Sequence, residues 1–276
     1  MSKADQIFIE NFQNIMVSGA DTTGQKVRPK WPDGMPAHTK KMFGVVNRYN
    51  LAEEFPALTL RPTALKSAFD ELLWIWQKKS NRVKDLNSRI WNEWTGEDGT
   101  IGKAYGYQLG KKYKFPQGEM DQVDNVLWCL KNDPCSRRIL TSIYNFEDLH
   151  EMNLYPCAYS VTFNVVGDKL NAILNQRSQD FLVANNWNVA QYSLLLMMFA
   201  QVSGLVPGEF VHVISDFHIY DRHMEIVSEM VKREPFPAPR VFLNPQIEDF
   251  YDFTVDDLIV ENYQAHPQIK NIPVAI

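Results

Sequence analysis

The groups best able to do chemistry are gathered in Leu154–Tyr192, LYPCAYSVTFNVVGDKLNAILNQRSQDFLVANNWNVAQY. A thiol, Cys157, stands directly behind Pro156. A guanidinium, Arg177, is flanked by Gln176 and Ser178; a carboxylate follows at Asp180 and a carboxamide at Asn188. A cysteine attacks carbon only as its thiolate, and a neighbouring guanidinium favours that form. Arginine also grips phosphate through two parallel N–H bonds. Arg28 and the adjacent pair Arg137 and Arg138 are further candidates for both tasks. Several arginines converging on one thiol would bind a phosphorylated substrate and activate a nucleophile together.

Each of these residues also has an ordinary reading. A lone cysteine is usually a small buried hydrophobe, and adjacent arginines are usually a solvated face. Asn188, ahead of an apolar run, could be a helix N-cap, and Asp180 a loop carboxylate. His218 and Tyr220, in SDFHIYDRH, could be core groups at a strand end. Glu71 lies inside a strongly apolar helical stretch; it either reaches the solvent edge or has a buried partner and a purpose, since an unpaired buried charge is expensive. No glycine-rich phosphate loop, HExxH, CxxC or nucleophile elbow is present.

The elements that must hold these groups follow from periodicity. Residues 4–18 have helical spacing, and 19–41 read as a loop containing Arg28; Phe43 to Tyr49 reads as a strand. Residues 63–78 predict a helix apolar on most sides, hence buried, and it carries Glu71. Residues 81–116 are loop-rich and contain IWNEW and YGYQLG; 119–132 predict a helix stopped by Asn132-Asp133-Pro134. Arg137-Arg138 open an extended run. Val161, Phe163 and Val165 alternate with polar residues as a half-buried strand, Gly167-Asp168 is a hairpin tip, and Leu170 to Gln176 returns. Residues 189–203 predict the central core helix. Phe210 to Ile214 reads as a strand, Asp221 to Lys232 as a helix, and 240–243 and 258–263 as strands. Strands that do not alternate regularly with helices predict an α+β fold: one domain over residues 1–276, its mixed, largely antiparallel twisted sheet covered by helices.

Composition narrows the class. A chain of 276 residues with 45% hydrophobic content has ample core. A net charge of −5 does not indicate a general nucleic-acid surface. Three cysteines without metal-ligand spacing argue against a disulfide framework and for a reducing compartment. The longest apolar run, Tyr192 to Ala200, falls short of the ~20 residues of a membrane helix. The expectation is a soluble cytoplasmic protein with no membrane and no nucleic acid as main partner, and with no metal.

In order and spacing, these motifs resemble the thymidylate synthase family across Arg28 to Ile276. Pro156-Cys157 resembles its nucleophile motif, and Gln176-Arg177-Ser178 with Asp180 its QRSxD signature. Glu71 in ELLW, Trp91 and Trp94 in an IWxEW pattern, Tyr105-Gly106, Arg137-Arg138 behind Asn-Asp-Pro, His218 and Tyr220 in DxHxY, and the terminal Pro-Val-Ala-Ile follow in the family's sequence. The chain departs from the common pattern at Ala158, which usually is histidine, and at Ala184-Asn185-Asn186-Trp187, where Gly-x-Pro-Phe is usual. Asn92 replaces an aspartate, and Pro29 follows Arg28 in place of Thr-Gly. These changes touch the folate side and the wall of the site.

The resemblance implies reductive methylation of dUMP by 5,10-methylenetetrahydrofolate through a covalent Cys157 adduct at carbon 6 of uracil. It implies that Arg28, Arg177 and Ser178, with Gln176 in the same signature, hold the nucleotide phosphate, that Asn188 reads the base, and that His218 and Tyr220 contact the sugar. Glu71 and Tyr105 would move protons, and Asp180 would hold the pterin. Ile90, Trp91, Trp94 and Trp187 would wall the folate, with Ala275 and Ile276 at the closing terminus. Arg137 and Arg138 would reach the phosphate of a partner subunit in a homodimer. A deoxyuridylate hydroxymethylase, in which water rather than hydride captures the intermediate, shares every early step and is the alternative.

Overall fold

The computed structural model describes residues 1–276. The first helix, α1 (Lys3–Ser18), is capped by the Ser2 hydroxyl, which accepts from Asp5 N. Asp5 is fully buried and ties the helix inward by accepting from Thr59 N at 2.8 Å, Thr59 Oγ1 at 2.6 Å and Leu60 N at 3.2 Å. A two-residue strand, β1 (Ala20–Asp21), then pairs with β2 (Thr39–Asn50). Helix α2 (Leu65–Leu72) runs into a π-helical turn, Leu73–Gln77, closed by Lys78 N donating to Leu73 O at 2.8 Å. The sequence predicts one continuous α-helix here. The wider turn accommodates three successive bulky side chains, Trp74, Ile75 and Trp76, all buried. Such turns recur at functional sites, and this one begins two residues after Glu71.

Beyond the loops come α3 (Gly106–Gly110), the small hairpin β3 (Tyr113–Phe115) and β4 (Gly118–Met120), and α4 (Gln122–Asn132). Asp121 caps α4, so the helix starts three residues later than its apolar spacing suggests. Next are β5 (Leu140–Ser142), β6 (Ala158–Val166), β7 (Lys169–Gln176) and β8 (Gln179–Asp180). Val166 pairs with Lys169 across a two-residue turn whose first residue, Gly167, has φ 65°, a conformation glycine adopts without strain.

The core helix, α5 (Asn185–Val202), is apolar all round and ends in a Schellman motif. Leu205 N donates to Ala200 O, Gly204 N donates to Gln201 O, and Gly204 has φ 66°. Strand β9 (Val206–Tyr220), helix α6 (Met224–Met230) after a short 3-10 turn, and the pair β10 (Arg240–Leu243) and β11 (Leu258–Glu261) complete the chain. Strand β9 is 15 residues long, three times the run that its alternation marks. Its extra length is fixed by two neighbours, β2 on one side and β7 with β8 on the other.

The main sheet has the order β1-β2-β9-β7-β6-β5 with β8 also on β9. Pairings are antiparallel except β7 and β8 with β9, which are parallel because α5 makes the crossover between them. One face packs on α5, where Phe199 meets Phe163 at 5.0 Å, Phe250 at 4.7 Å and Trp76 at 6.2 Å between ring centroids. The other face carries the cross-strand row Arg48, Val211, Ile173, Thr162 and Leu140. On it Ile173 is 41% exposed and Leu140 46%.

Candidate active site

The antiparallel pairing of β6 and β7 sets Ala158 opposite Gln176, so Cys157 and Arg177 meet just beyond the paired ends. Arg177 N donates to Cys157 O at 2.9 Å. The guanidinium is anchored on backbone, Nε donating to Pro156 O at 3.0 Å and Nη2 to Tyr155 O at 2.7 Å, and Nη2 lies 3.7 Å from Cys157 Sγ. Tyr105, held at φ 45° at the start of α3, accepts from Cys157 N at 3.1 Å through its hydroxyl. Burial pushes the Cys157 thiol up, against the pull of Arg177, the Tyr105 hydroxyl and the more distant charge of Arg28. Burial also lifts Tyr105 well above the usual phenol range, so at neutral pH it acts as a hydroxyl and not as a phenolate.

Glu71 has the buried partners that its position in an apolar helix requires. Trp91 Nε1 donates to one carboxylate oxygen at 2.9 Å and Trp187 Nε1 to the other at 2.5 Å. Burial raises the Glu71 carboxyl to about 7, opposed by the donors of Trp91, Trp187 and Gln191. It can therefore hold or release a proton at neutral pH. Trp91 is itself buried, packed edge-on against Trp94 at 5.8 Å and Tyr105 at 5.0 Å. Trp94 and Trp187 are half-buried, and Ile90 is exposed.

Asn188 is the fourth residue of α5 and not its cap; Ala184 occupies the cap and makes no side-chain bond. The Asn188 amide is engaged on both sides: Gln176 Nε2 donates to its Oδ1 at 3.2 Å, and its Nδ2 donates to Gln191 Oε1 at 3.3 Å. Gln176 in turn meets His212 on β9, Nε2 to Oε1 at 2.8 Å. Gln191 and His212 belong to no motif that marks them in the sequence. Each left a faint trace, a polar residue in an otherwise apolar helix or strand, but nothing local says what it bonds.

Asp180 spends one oxygen on its own loop, Oδ1 accepting from Leu182 N at 2.8 Å and Val183 N at 3.0 Å. His218 is fixed by Asp216, Nδ1 to Oδ1 at 2.8 Å, and stacks edge-on with Tyr220 at 5.0 Å. Arg28 is exposed, and its charge is felt at both Cys157 and Tyr220. The C-terminus is joined to the Arg28 loop like a short strand, Lys30 N donating to Ile276 O at 2.8 Å and Ile276 N to Lys30 O at 2.9 Å. Pro273 O accepts from His223 Nε2 at 2.7 Å, which holds the tail, Ala275 included, against the sheet end. Ser178 is half-buried and its hydroxyl has no partner within the chain. Arg137 and Arg138 are exposed ahead of β5, at the edge of the uncovered sheet face, and are not brought to Cys157 by any contact. No group of three or more His, Cys, Asp or Glu is gathered so as to hold a metal ion. No helix is long and apolar enough to cross a membrane.

A half-buried thiol under an arginine, a buried carboxylate titrating near neutrality and a carboxamide held on both sides thus stand together, a set of groups suited to covalent nucleophilic chemistry. The thymidylate synthase family model matches residues 6–276. The chain is 44% identical over 269 residues to a thymidylate synthase of Bacillus subtilis subsp. natto and 45% identical to one of Bacillus licheniformis, covering 96% of this chain and 96% of each relative. The solved thermostable thymidylate synthase A from Bacillus subtilis superposes with a TM-score of 0.94 at 42% identity, covering 99% of both chains. The chain therefore belongs to the thymidylate synthase family. It is a methyltransferase that converts dUMP to dTMP with 5,10-methylenetetrahydrofolate as co-substrate, and the hydroxymethylase alternative is not favoured.

Proposed function

We propose that Cys157 is the nucleophile of this methylation and that the residues around it divide the work as follows. The thiolate adds at carbon 6 of the uracil ring, which makes carbon 5 an enolate-like nucleophile able to take the one-carbon unit. Arg177, Arg28 and Ser178 hold the phosphate with Gln176 behind them, Asn188 reads the base, and His218 with Tyr220 meets the sugar. Glu71, poised near neutrality, orders the proton transfers at carbon 5 and at the ring carbonyl, assisted by the Tyr105 hydroxyl. The folate supplies the one-carbon unit and the hydride. Ile90, Trp94 and Trp187 offer apolar surface for it with Trp91 packed behind, the second oxygen of Asp180 is free for pterin donors, and the Ala275-Ile276 tail shields the reacting carbon from water.

The observation that carries this reading is the 3.7 Å approach of Arg177 Nη2 to Cys157 Sγ, with Tyr105 bonded to the same residue. Two further features support a homodimer in which Arg137 and Arg138 serve the neighbouring site: a row across five strands on which Arg48, Ile173 and Leu140 stand exposed, and two guanidinium groups with no partner in their own chain. Three free cysteines support a reducing compartment, the cytoplasm. The family match from residue 6 to residue 276 supports a single catalytic domain. The test is Cys157→Ser with 5-fluoro-dUMP and the folate. The parent chain should form a covalent adduct mapping to Cys157, and the variant should bind dUMP and not turn over. An adduct on Cys129 or Cys135, or near-normal turnover by the variant, would refute the assignment.

A further inference from the structure

We propose that His212 is a positioning residue that pins the Asn188 amide in the orientation reading uracil and excluding cytosine. The inference rests on Asn188 as the base-reading residue.

The direction of the hydrogen bonds follows from groups that can act in only one way. Gln176 Nε2 lies 3.1 Å from the backbone carbonyl of Ser178, and a peptide carbonyl can only accept. That end of the Gln176 amide is therefore the NH2, and its oxygen faces His212 Nε2 at 2.8 Å. His212 must then carry its hydrogen on Nε2. The ring is fully buried, and burial drives its protonation down to about 3, so it is neutral and has a single N–H to give. Its Nδ1 has no partner, which leaves a bare lone pair and not a stranded donor. Turned over, Gln176 would set oxygen against the Ser178 carbonyl, and its NH2 could bond Nε2 only if the imidazole moved its hydrogen to the buried Nδ1, where no acceptor waits.

The constraint passes along the chain of amides. Gln176 Nε2 also meets Gln179 Oε1 and lies 3.2 Å from Asn188 Oδ1; its two hydrogens are shared among these oxygens and the Ser178 carbonyl, and a donor facing Asn188 sets the Asn188 oxygen on that side. Asn188 Nδ2 donates to Gln191 Oε1 at 3.3 Å, and Gln191 Nε2 donates to the Ala68 carbonyl at 3.3 Å, a second obligate acceptor. Both ends are anchored, and the chain has one sense. Asn188 keeps one lone pair on Oδ1 and one hydrogen on Nδ2 for a ligand. Uracil, with an N–H at position 3 and a carbonyl at position 4, satisfies both. Cytosine has a bare nitrogen and an amino group there and fits only a turned-over Asn188. A free asparagine can serve either base by rotating its amide, whereas one held from both sides serves one.

The experiment measures discrimination as the inhibition constant of dCMP divided by the KM of dUMP, a ratio that a general loss of folded enzyme leaves unchanged. His212→Leu removes the donor to Gln176 and should lower the ratio about tenfold, the effect of one mismatched buried polar contact. His212→Gln can present an amide N–H to the same oxygen and should restore the ratio to within about threefold of the parent. Should the leucine variant not fold, Gln176→Glu serves instead: a carboxylate has no N–H for Asn188 Oδ1, and the ratio should fall likewise. Asn188→Asp is the control for the underlying reading. If it shifts the ratio while His212→Leu or Gln176→Glu leaves it unchanged, or if the glutamine variant falls as far as the leucine one, the His212 proposal is overturned and base reading by Asn188 stands. If Asn188→Asp also leaves the ratio unchanged, the underlying reading falls with it.

Discussion

Replacing Trp187 with phenylalanine would separate two roles that the wild-type indole combines. The phenyl ring keeps an aromatic surface toward the folate pocket but deletes the N–H that meets Glu71 at 2.5 Å. Burial sets the Glu71 carboxyl at about 7, and the donors of Trp91, Trp187 and Gln191 all act to lower it. A hydrogen bond to a charged group contributes ~1.5–3 kcal/mol, and one pKa unit is ~1.4 kcal/mol, so losing one donor should lift the carboxyl by about a unit or more. The ionised fraction at pH 7 then falls from about a half to about a tenth. If the carboxylate form relays protons, kcat/KM for dUMP at pH 7 should drop about fivefold, and the acid limb of the profile should move up by about one unit. At pH 9 the variant should recover most of the difference, and the KM for the folate should change little. The assay is the absorbance rise of dihydrofolate from pH 5.5 to 9.5. An acid limb that does not move, or a loss equal at every pH, would refute the claim that Trp187 sets the charge of Glu71.

Mixing Arg138→Ala chains with Cys157→Ser chains under subunit exchange should restore activity, because one site of each hybrid dimer has all its parts; no recovery despite exchange measured by mass would rule out a shared site. Deleting Ile276 removes the pairing with Lys30, and should lower kcat tenfold or more while dUMP still binds, with some 5-hydroxymethyl-dUMP detected by mass as water reaches the intermediate. Burial holds the Cys157 thiol above its ordinary value, so alkylation of the free enzyme by iodoacetamide should be slow at neutral pH and rise as the pH climbs. Arg177→Gln should push that rise to still higher pH, and an unchanged alkylation profile would remove Arg177 as the thiol's electrostatic partner.

Much of the site was legible in the sequence because its groups travel in short local motifs. Pro156-Cys157, Gln176-Arg177-Ser178 and Asp180 lie on one hairpin and the loop beyond it. The alternation of Val161, Phe163 and Val165, and the turn at Gly167-Asp168, suffice to predict that Arg177 returns toward the thiol. Periodicity likewise reports α1 and α2, since each buries a face that its own residues define, and α5 shows as a long run apolar on all sides. What stayed hidden depends on partners far away in the chain. Local sequence leaves Glu71 equally compatible with a solvent-edge carboxylate; its buried role depends on Trp91 and Trp187, 20 and 116 residues away, which donate to its two oxygens. The local sequence of Asn188 favours a helix cap, and only Ala184 at the cap position removes that reading. The diagonal approach of His212, opposite Leu174, to Gln176, opposite Ile214, comes from the parallel pairing of β7 with β9, which α5 separates by a crossover. Alternation within a strand tells which residues face inward but not which strand lies alongside, or in what direction. Register and charge partners are set by packing between segments, and only the assembled sheet fixes them.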